Sequence, residues 1–291
     1  MSTLRAGAIL AGFLGLTLPL MPIQAALLRL SPKAARRFPH WYHRQVCRLF
    51  GVNLNVDGVV ATDRPVLLVC NHTSWLDIVV LSALAPVSFI AKKEVDGWPF
   101  VSALARLQRS IFIDRAKRQD TGAAASEIMA RLSGGDAIVL FAEGTSSDGT
   151  RVLPFKSALF GAVKRPDTEA EHRTVVQTAA IVYTHLYGVP IARADRPRIG
   201  WYGDMEMKSH AWALLKGGPL RVRIKVSDPV PLDGFADRKG LAITMERQVR
   251  RDVHAILRGR PGDATIEPVE PSAERRQLKQ IPIPARAEKW T

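Results

Sequence analysis

The chain has 291 residues, 47% of them hydrophobic, and carries 41 Lys and Arg against 27 Asp and Glu, a formal net charge of +14. That length and apolar content support a sizeable core and exclude a disordered chain, while the basic excess calls for an anionic partner. Nucleic acid is disfavoured in that role, because no helix-turn-helix, zinc-finger, RRM or KH signature is present and the densest basic stretch adjoins an apolar one; the expected partner is an anionic membrane lipid.

In chain order, the first feature is Ala6 to Leu28, which contains no charged residue and approaches the ~20 apolar residues that cross a bilayer as a helix. Pro19 and Pro22 interrupt it, which leaves spanning, kinking and re-entry all open. A secretory signal peptide is the competing reading, with Arg5 as its basic start and Ala25-Ala26 imitating a cleavage site. The length of the stretch and the basic run behind it favour an uncleaved membrane anchor over residues 1–32. Arg29, Lys33, Arg36, Arg37, Arg44 and Arg48 follow it, with Trp41 and Tyr42 among them, against Arg5 alone before it. This asymmetry places the main domain, 33–258, on the cytoplasmic side of the inner membrane. Cys47 and Cys70 are too few for a disulfide framework and fit a reducing compartment. His40, His43 and Cys47 lack a fourth ligand, so no metal site is expected.

A buried strand is expected over 66–70, and Asn71-His72-Thr73-Ser74-Trp75-Leu76-Asp77 follows it directly. An imidazole at a strand-to-helix turn can act as a general base, and a nearby carboxylate can fix its tautomer. The plainer reading makes Asn71 or Thr73 a helix cap and Asp77 a first-turn carboxylate. Further strands are expected over 87–91, 111–113, 137–142, 175–183 and 220–227, and helices near 75–84, 97–108, 120–132, 156–164 and 240–258. Their alternation implies an α/β domain with a largely parallel or mixed sheet. Trp201 and Tyr202 lie in a loop-like region, as the border of an acyl-chain groove or as ordinary buried aromatics. Pro261, Pro268, Pro271, Pro282 and Pro284 punctuate a polar stretch over 259–291, read as a disordered tail.

Two later segments join the first in a fixed order. Ile111-Phe112-Ile113-Asp114-Arg115 ends a short strand in an acid and a guanidinium, and Phe141-Ala142-Glu143-Gly144-Thr145 follows the strand Ala137 to Leu140. With Asn71 to Asp77 these blocks resemble the lysophospholipid acyltransferases of the 1-acylglycerol-3-phosphate acyltransferase type, over roughly residues 60 to 230. The resemblance implies a glycerolipid acyltransferase-like domain, a mixed sheet flanked by helices behind an N-terminal membrane segment. It implies O-acyl transfer in membrane lipid biosynthesis from an acyl-carrier protein or a coenzyme A thioester to the hydroxyl of a lysolipid acceptor. His72 would be the general base and Asp77 its orienter, while Arg115, Glu143, Gly144 and Thr145 would line the acceptor site. No metal or bound cofactor is implied.

The departures from the family pattern bear on the acceptor. Ser146 stands where an arginine usually helps to hold a phosphate, and a serine cannot supply a charged, bidentate fork. Asp148 would repel a phosphate. The run from Glu143 to Gly149, with Val152 to Ser157 behind it, resembles the branch that acylates lyso-ornithine lipid, whose headgroup offers Asp148 an ammonium. Lyso-ornithine lipid and 1-acyl-sn-glycerol-3-phosphate both stand as acceptors. Ala142 replaces a common proline and Arg109 a common glycine, departures of packing more than of chemistry. The reading from a different class is a non-catalytic lipid-binding protein of the membrane surface on the same fold.

Overall fold

The computed structural model describes residues 3–113, 118–163 and 173–259. Helix α1 (Thr3–Leu30) runs unbroken through Pro19 and Pro22. Its two buried polar side chains face protein. Thr17 Oγ1 lies 2.7 Å from the Tyr42 hydroxyl, and Gln24 Nε2 donates to the carbonyls of Ala35 (3.0 Å) and Leu107 (2.9 Å). Leu4, Leu10, Leu14, Leu18, Ile23 and Leu30 are exposed on its other side. Buried polar atoms demand partners and exposed leucines demand an apolar medium, so α1 has one face for the domain and one for lipid.

Helix α2 (Pro32–Phe50) starts on a proline, suited to a first turn whose N–H has no partner, and ends at Gly51, left-handed at φ 73°. Ala35, Pro39, Val46 and Cys47 are buried, while Lys33, Arg37, Trp41, Arg44 and Arg48 are exposed at helical spacing. This long amphipathic helix was legible in the sequence only as a basic stretch. The chain continues through β1 (Val52–Asp57), β2 (Val66–Cys70), α3 (Leu76–Leu84), β3 (Val87–Lys92), a 3₁₀ turn at Lys93–Gly97, α4 (Val101–Leu107), β4 (Ile111–Ile113), α5 (Arg118–Ser133) and β5 (Ala137–Phe141). A 3₁₀ segment at Ser157–Ala162, β6 (Val175–Leu186), β7 (Val189–Pro190), α6 (Met207–Lys216), β8 (Leu220–Val226), β9 (Val230–Pro231) and α7 (Arg238–Leu257) complete it.

The sheet has the order β1-β8-β6-β2-β5-β3-β4, with β7 and β9 pairing with β6. It is mixed: β6 runs parallel to β2 but antiparallel to β8, while β2, β5, β3 and β4 are parallel. All five residues of β2 are buried, as a central strand covered on both faces requires. Leu67 and Val69 pack toward α5 and α7, and Val66, Leu68 and Cys70 toward α2 and α3, the two-residue alternation of a strand. The mixed sheet flanked by helices is the architecture expected. Three details differ. The expected helix at 97–108 is a 3₁₀ turn followed by a shorter α4, the one at 156–164 is 3₁₀ only, and β1 and α6 are additional.

One buried carboxylate ties α2 to the sheet. Asp136, just before β5, pairs with Arg36 Nε of α2 at 3.0 Å, with Arg109 Nη2 at 2.6 Å and with Arg131. Arg109 keeps the left-handed backbone of a glycine position (φ 63°), a strained setting for a residue with a Cβ, and its guanidinium is what reaches Asp136.

Candidate active site

Strands β2 and β5 end side by side, with Cys70 in register with Phe141. The residues two beyond each end, His72 and Glu143, therefore meet at the carboxyl edge of the parallel strands, where open α/β sheets commonly carry their sites. β6 extends beyond the end of β2, since Cys70 pairs with Ala179 and β6 continues to Leu186. Asn71 covers the loss of pairing with its side chain: Nδ2 donates to Ile181 O at 2.9 Å and Oδ1 accepts from Ile181 N at 2.8 Å. The carboxamide thus stands in for the peptide group that a continued strand would have presented.

The chain then folds back on Asp77. Its Oδ2 accepts from the backbone N–H of Thr73 at 2.7 Å and of Ser74 at 2.9 Å, and lies 2.9 Å from His72 Nδ1; Oδ1 accepts from the Tyr183 hydroxyl at 2.6 Å. Asp77 is fully buried, and a buried carboxylate persists only when its lone pairs are filled in this way. It also sits in the first turn of α3, where the helix dipole favours a negative charge. An ionised Asp77 requires the proton on Nδ1, which leaves the His72 Nε2 lone pair as a base. The ring stacks on Phe141, centroids 3.9 Å apart, and the side chain retains 17% exposure, so the imidazole is fixed but reachable. Tyr183 is raised well above the usual phenol range, first by burial and then by the Asp77 charge, so it keeps its proton and donates it to Asp77.

Glu143 is 1% exposed, and its two oxygens accept from the backbone N–H of His72 (2.9 Å) and Leu153 (3.0 Å). Burial pushes its carboxyl up to about 8, against these two hydrogen bonds. Gly144 is buried at φ 73°, a backbone that suits glycine, and Thr145 is exposed. Ser147 N donates to His72 O at 2.8 Å, and the Ser146 hydroxyl donates to Trp201 O. Trp201 N in turn donates to Thr73 O at 2.9 Å, which lashes the loop after the 3₁₀ turn Arg193–Arg198 onto the histidine loop. Arg115 lies outside the described residues, as do residues 260–291 of the expected tail. Asp148 Oδ1 accepts from Thr150 N and Oγ1 at 2.9 and 2.7 Å. Among the described residues no group of His, Cys, Asp and Glu is arranged to hold a metal ion.

Sequence reasoning missed Tyr183 and the brace formed by Glu143. Tyr183 reads as one more aromatic of a buried strand, and only the sheet brings it to a carboxylate 106 residues away.

A family model described as Acyltransferase matches residues 53–186. A lyso-ornithine lipid O-acyltransferase of Brucella abortus is 47% identical over 89% of this chain and 97% of its own length. One of Rhizobium meliloti is 40% identical, over 85% of each. A 1-acyl-sn-glycerol-3-phosphate acyltransferase of Neisseria meningitidis is 30% identical over 71% of this chain and 77% of its own length. The crystal structure of a 1-acyl-sn-glycerophosphate acyltransferase from Thermotoga maritima shares the fold, with a TM-score of 0.62 at 23% identity over 90% of this chain and 96% of that one.

Proposed function

The chain belongs to the acyltransferase family and is an O-acyltransferase acting on lysolipids; from that premise we propose that it acylates the hydroxyl of lyso-ornithine lipid, with His72 as the general base. The observation that carries this reading is the 2.9 Å contact between His72 Nδ1 and Asp77 Oδ2, in a site where both Asp77 oxygens are held by further hydrogen bonds from Thr73 N, Ser74 N and the Tyr183 hydroxyl. His72 Nε2 takes the proton of the acceptor hydroxyl as its oxygen attacks the thioester carbonyl. Asp77 steadies the imidazolium. The tetrahedral intermediate then collapses, the carbon–sulfur bond breaks, and the thiolate takes the proton from Nε2 and leaves as a thiol. The donor is an acyl-carrier protein or coenzyme A thioester, and the reaction uses no metal or bound cofactor. Gly144 and Thr145 border the acceptor, and Glu143 supports the His72 backbone N–H.

Two features support the ornithine acceptor over a phosphate. Relatives at 47% and 40% identity bear that name, and Ser146, in place of the arginine, spends its hydroxyl on Trp201 O. The lipid-facing leucines of α1 and the basic stripe of α2 support membrane association, and the excess of cations after α1 supports a cytoplasmic catalytic domain.

The test is a thiol-release assay on the full-length enzyme in detergent, with acyl-coenzyme A and acyl-carrier protein as donors. Lyso-ornithine lipid should give the higher kcat/KM, and His72→Ala should lower it by roughly 10² to 10⁴-fold. A preference for lysophosphatidate refutes the acceptor, and an active, folded His72→Ala enzyme refutes the base.

A further inference from the structure

A small cleft opens beside the His72–Asp77 pair, lined by Asn71, Thr73, Gly149, Arg151, Tyr183 and Arg196 among others. Three segments converge to form it. Trp201 N bonds Thr73 O, and the backbone amides of Ile199 and Gly200 close on Arg196 O. Gly149 keeps the approach open, since a Cβ there would stand 3.0 Å from Thr73 Cγ2 and 3.8 Å from Arg196 Cβ. Two of its lining residues adjoin the His72–Asp77 pair: Thr73 is the next residue after His72, and Tyr183 is the donor to Asp77.

Its two guanidinium groups have no direct ion-pair partner among the described residues. Within the Arg193–Arg198 turn, Asp195 is taken by Arg198 at 3.2 Å. Among the described residues, neither Arg196 nor Arg151 has a carboxylate within ion-pair distance, and Arg196 Nε is buried with no acceptor. A buried guanidinium N–H without an acceptor is costly, and nothing in the fold accounts for it. Asp148 stands nearby as the acid of the group. Its burial would raise the carboxyl, but the two Thr150 bonds together with Arg151 and Arg193 hold it below the usual range. The cluster therefore offers two guanidinium groups and one ionised carboxylate. Ornithine linked to a hydroxyacyl chain through its α-nitrogen keeps one carboxylate and one ammonium, the complementary set; a phosphate monoester offers no cation for Asp148.

We propose that this cleft recognises the acceptor headgroup, with Arg196 and Arg151 pairing with its carboxylate and Asp148 supplying the counter-charge for its ammonium. This rests on lyso-ornithine lipid being the acceptor. A guanidinium fork matches a carboxylate in two parallel hydrogen bonds, which fixes orientation as well as charge.

The experiment compares lyso-ornithine lipid with its carboxyl methyl ester, using the full-length wild type, Arg196→Gln and Arg196→Lys. Wild type should use the ester at least roughly tenfold less well than the acid, and Arg196→Gln should lose about as much on the acid, mainly through KM, as charged hydrogen bonds imply. The ester should be used equally by wild type and Arg196→Gln, and Arg196→Lys should recover part of the loss. An equal loss on acid and ester means that Arg196 only supports the fold and overturns the proposal, as does an unchanged KM for the acid. A wild type that ignores lyso-ornithine lipid while acylating another lysolipid overturns the acceptor reading and this assignment with it.

Discussion

Asp77→Asn separates charge from geometry at the centre of the site. The carboxamide can take the place of the carboxylate with little rearrangement. Its oxygen can accept from Thr73 N, Ser74 N and His72 Nδ1 as Oδ2 does now, and its NH₂ can face the Tyr183 hydroxyl, which is able to accept. The fold should therefore survive, with a melting temperature within a few degrees of wild type. What disappears is the attraction between the carboxylate and the imidazolium formed when Nε2 takes the proton. At the observed 2.9 Å, an effective dielectric of about 20 bounds this at roughly 4–6 kcal/mol, and 17% exposure of His72 lowers it. At about 1.4 kcal/mol per decade, kcat should fall roughly 10² to 10⁴-fold with KM for the acceptor little changed. The assay is thiol release at saturating donor, beside thermal unfolding of the same preparation. A folded Asp77→Asn enzyme within threefold of wild-type kcat would refute the assignment of Asp77 as the charge partner.

Tyr183→Phe removes the donor to Asp77 Oδ1 at 2.6 Å and leaves a buried charged acceptor unpaired; stability should drop by about 1–3 kcal/mol, read from chemical denaturation, and turnover should fall several-fold. Glu143 should make the protein pH-sensitive. Its folded carboxyl is raised from its ordinary 4.5 to about 8, so the folded chain holds a proton that the unfolded chain releases; the resulting stabilisation is complete below about 4.5 and is lost as pH rises through about 8. Melting curves from pH 5 to 9 should show this decline relative to Glu143→Gln, and parallel curves for the two proteins would rule it out. Replacing Lys33, Arg37, Arg44 and Arg48 by glutamine should weaken sedimentation with anionic vesicles at low salt, whereas equal binding at 0.5 M salt would be unsurprising because screening removes the difference. A reporter fused after Thr291 should be active only in the cytoplasm.

The sequence showed most clearly what local order determines. His72 and Asp77 are five residues apart and meet through one turn, so their pairing could be read from the chain. Buried, continuous apolar runs such as Val66 to Cys70 and Ala137 to Phe141 announced the central strands. Elements whose stability comes from partners were harder to see. α2 is rich in charge and has Pro39 within it, and β1 is an edge strand with only Val52 buried. Segment 157–162 has the apolar content of a helix, yet it forms only a 3₁₀ stretch. The charge system on Asp136 joins α2 to residues 109 and 131, and the Arg196 cleft depends on backbone bonds between distant loops. Apart from the Arg131–Asp136 pair, five residues apart, these contacts join segments distant in sequence.

The exchange between Asn71 and Ile181 sets a length rule for the chain. Because the carboxamide occupies a rung of the ladder immediately after Cys70, the histidine loop is counted from the sheet itself. Adding or removing one residue between Cys70 and His72 would turn the imidazole toward the opposite layer and strand two backbone groups of β6 at once. By contrast, the exposed segment 62–64 between β1 and β2 borders solvent and can change length at little cost. Libraries of insertions should therefore divide sharply along the chain, tolerated in the exposed segment 62–64 and rejected one residue from His72.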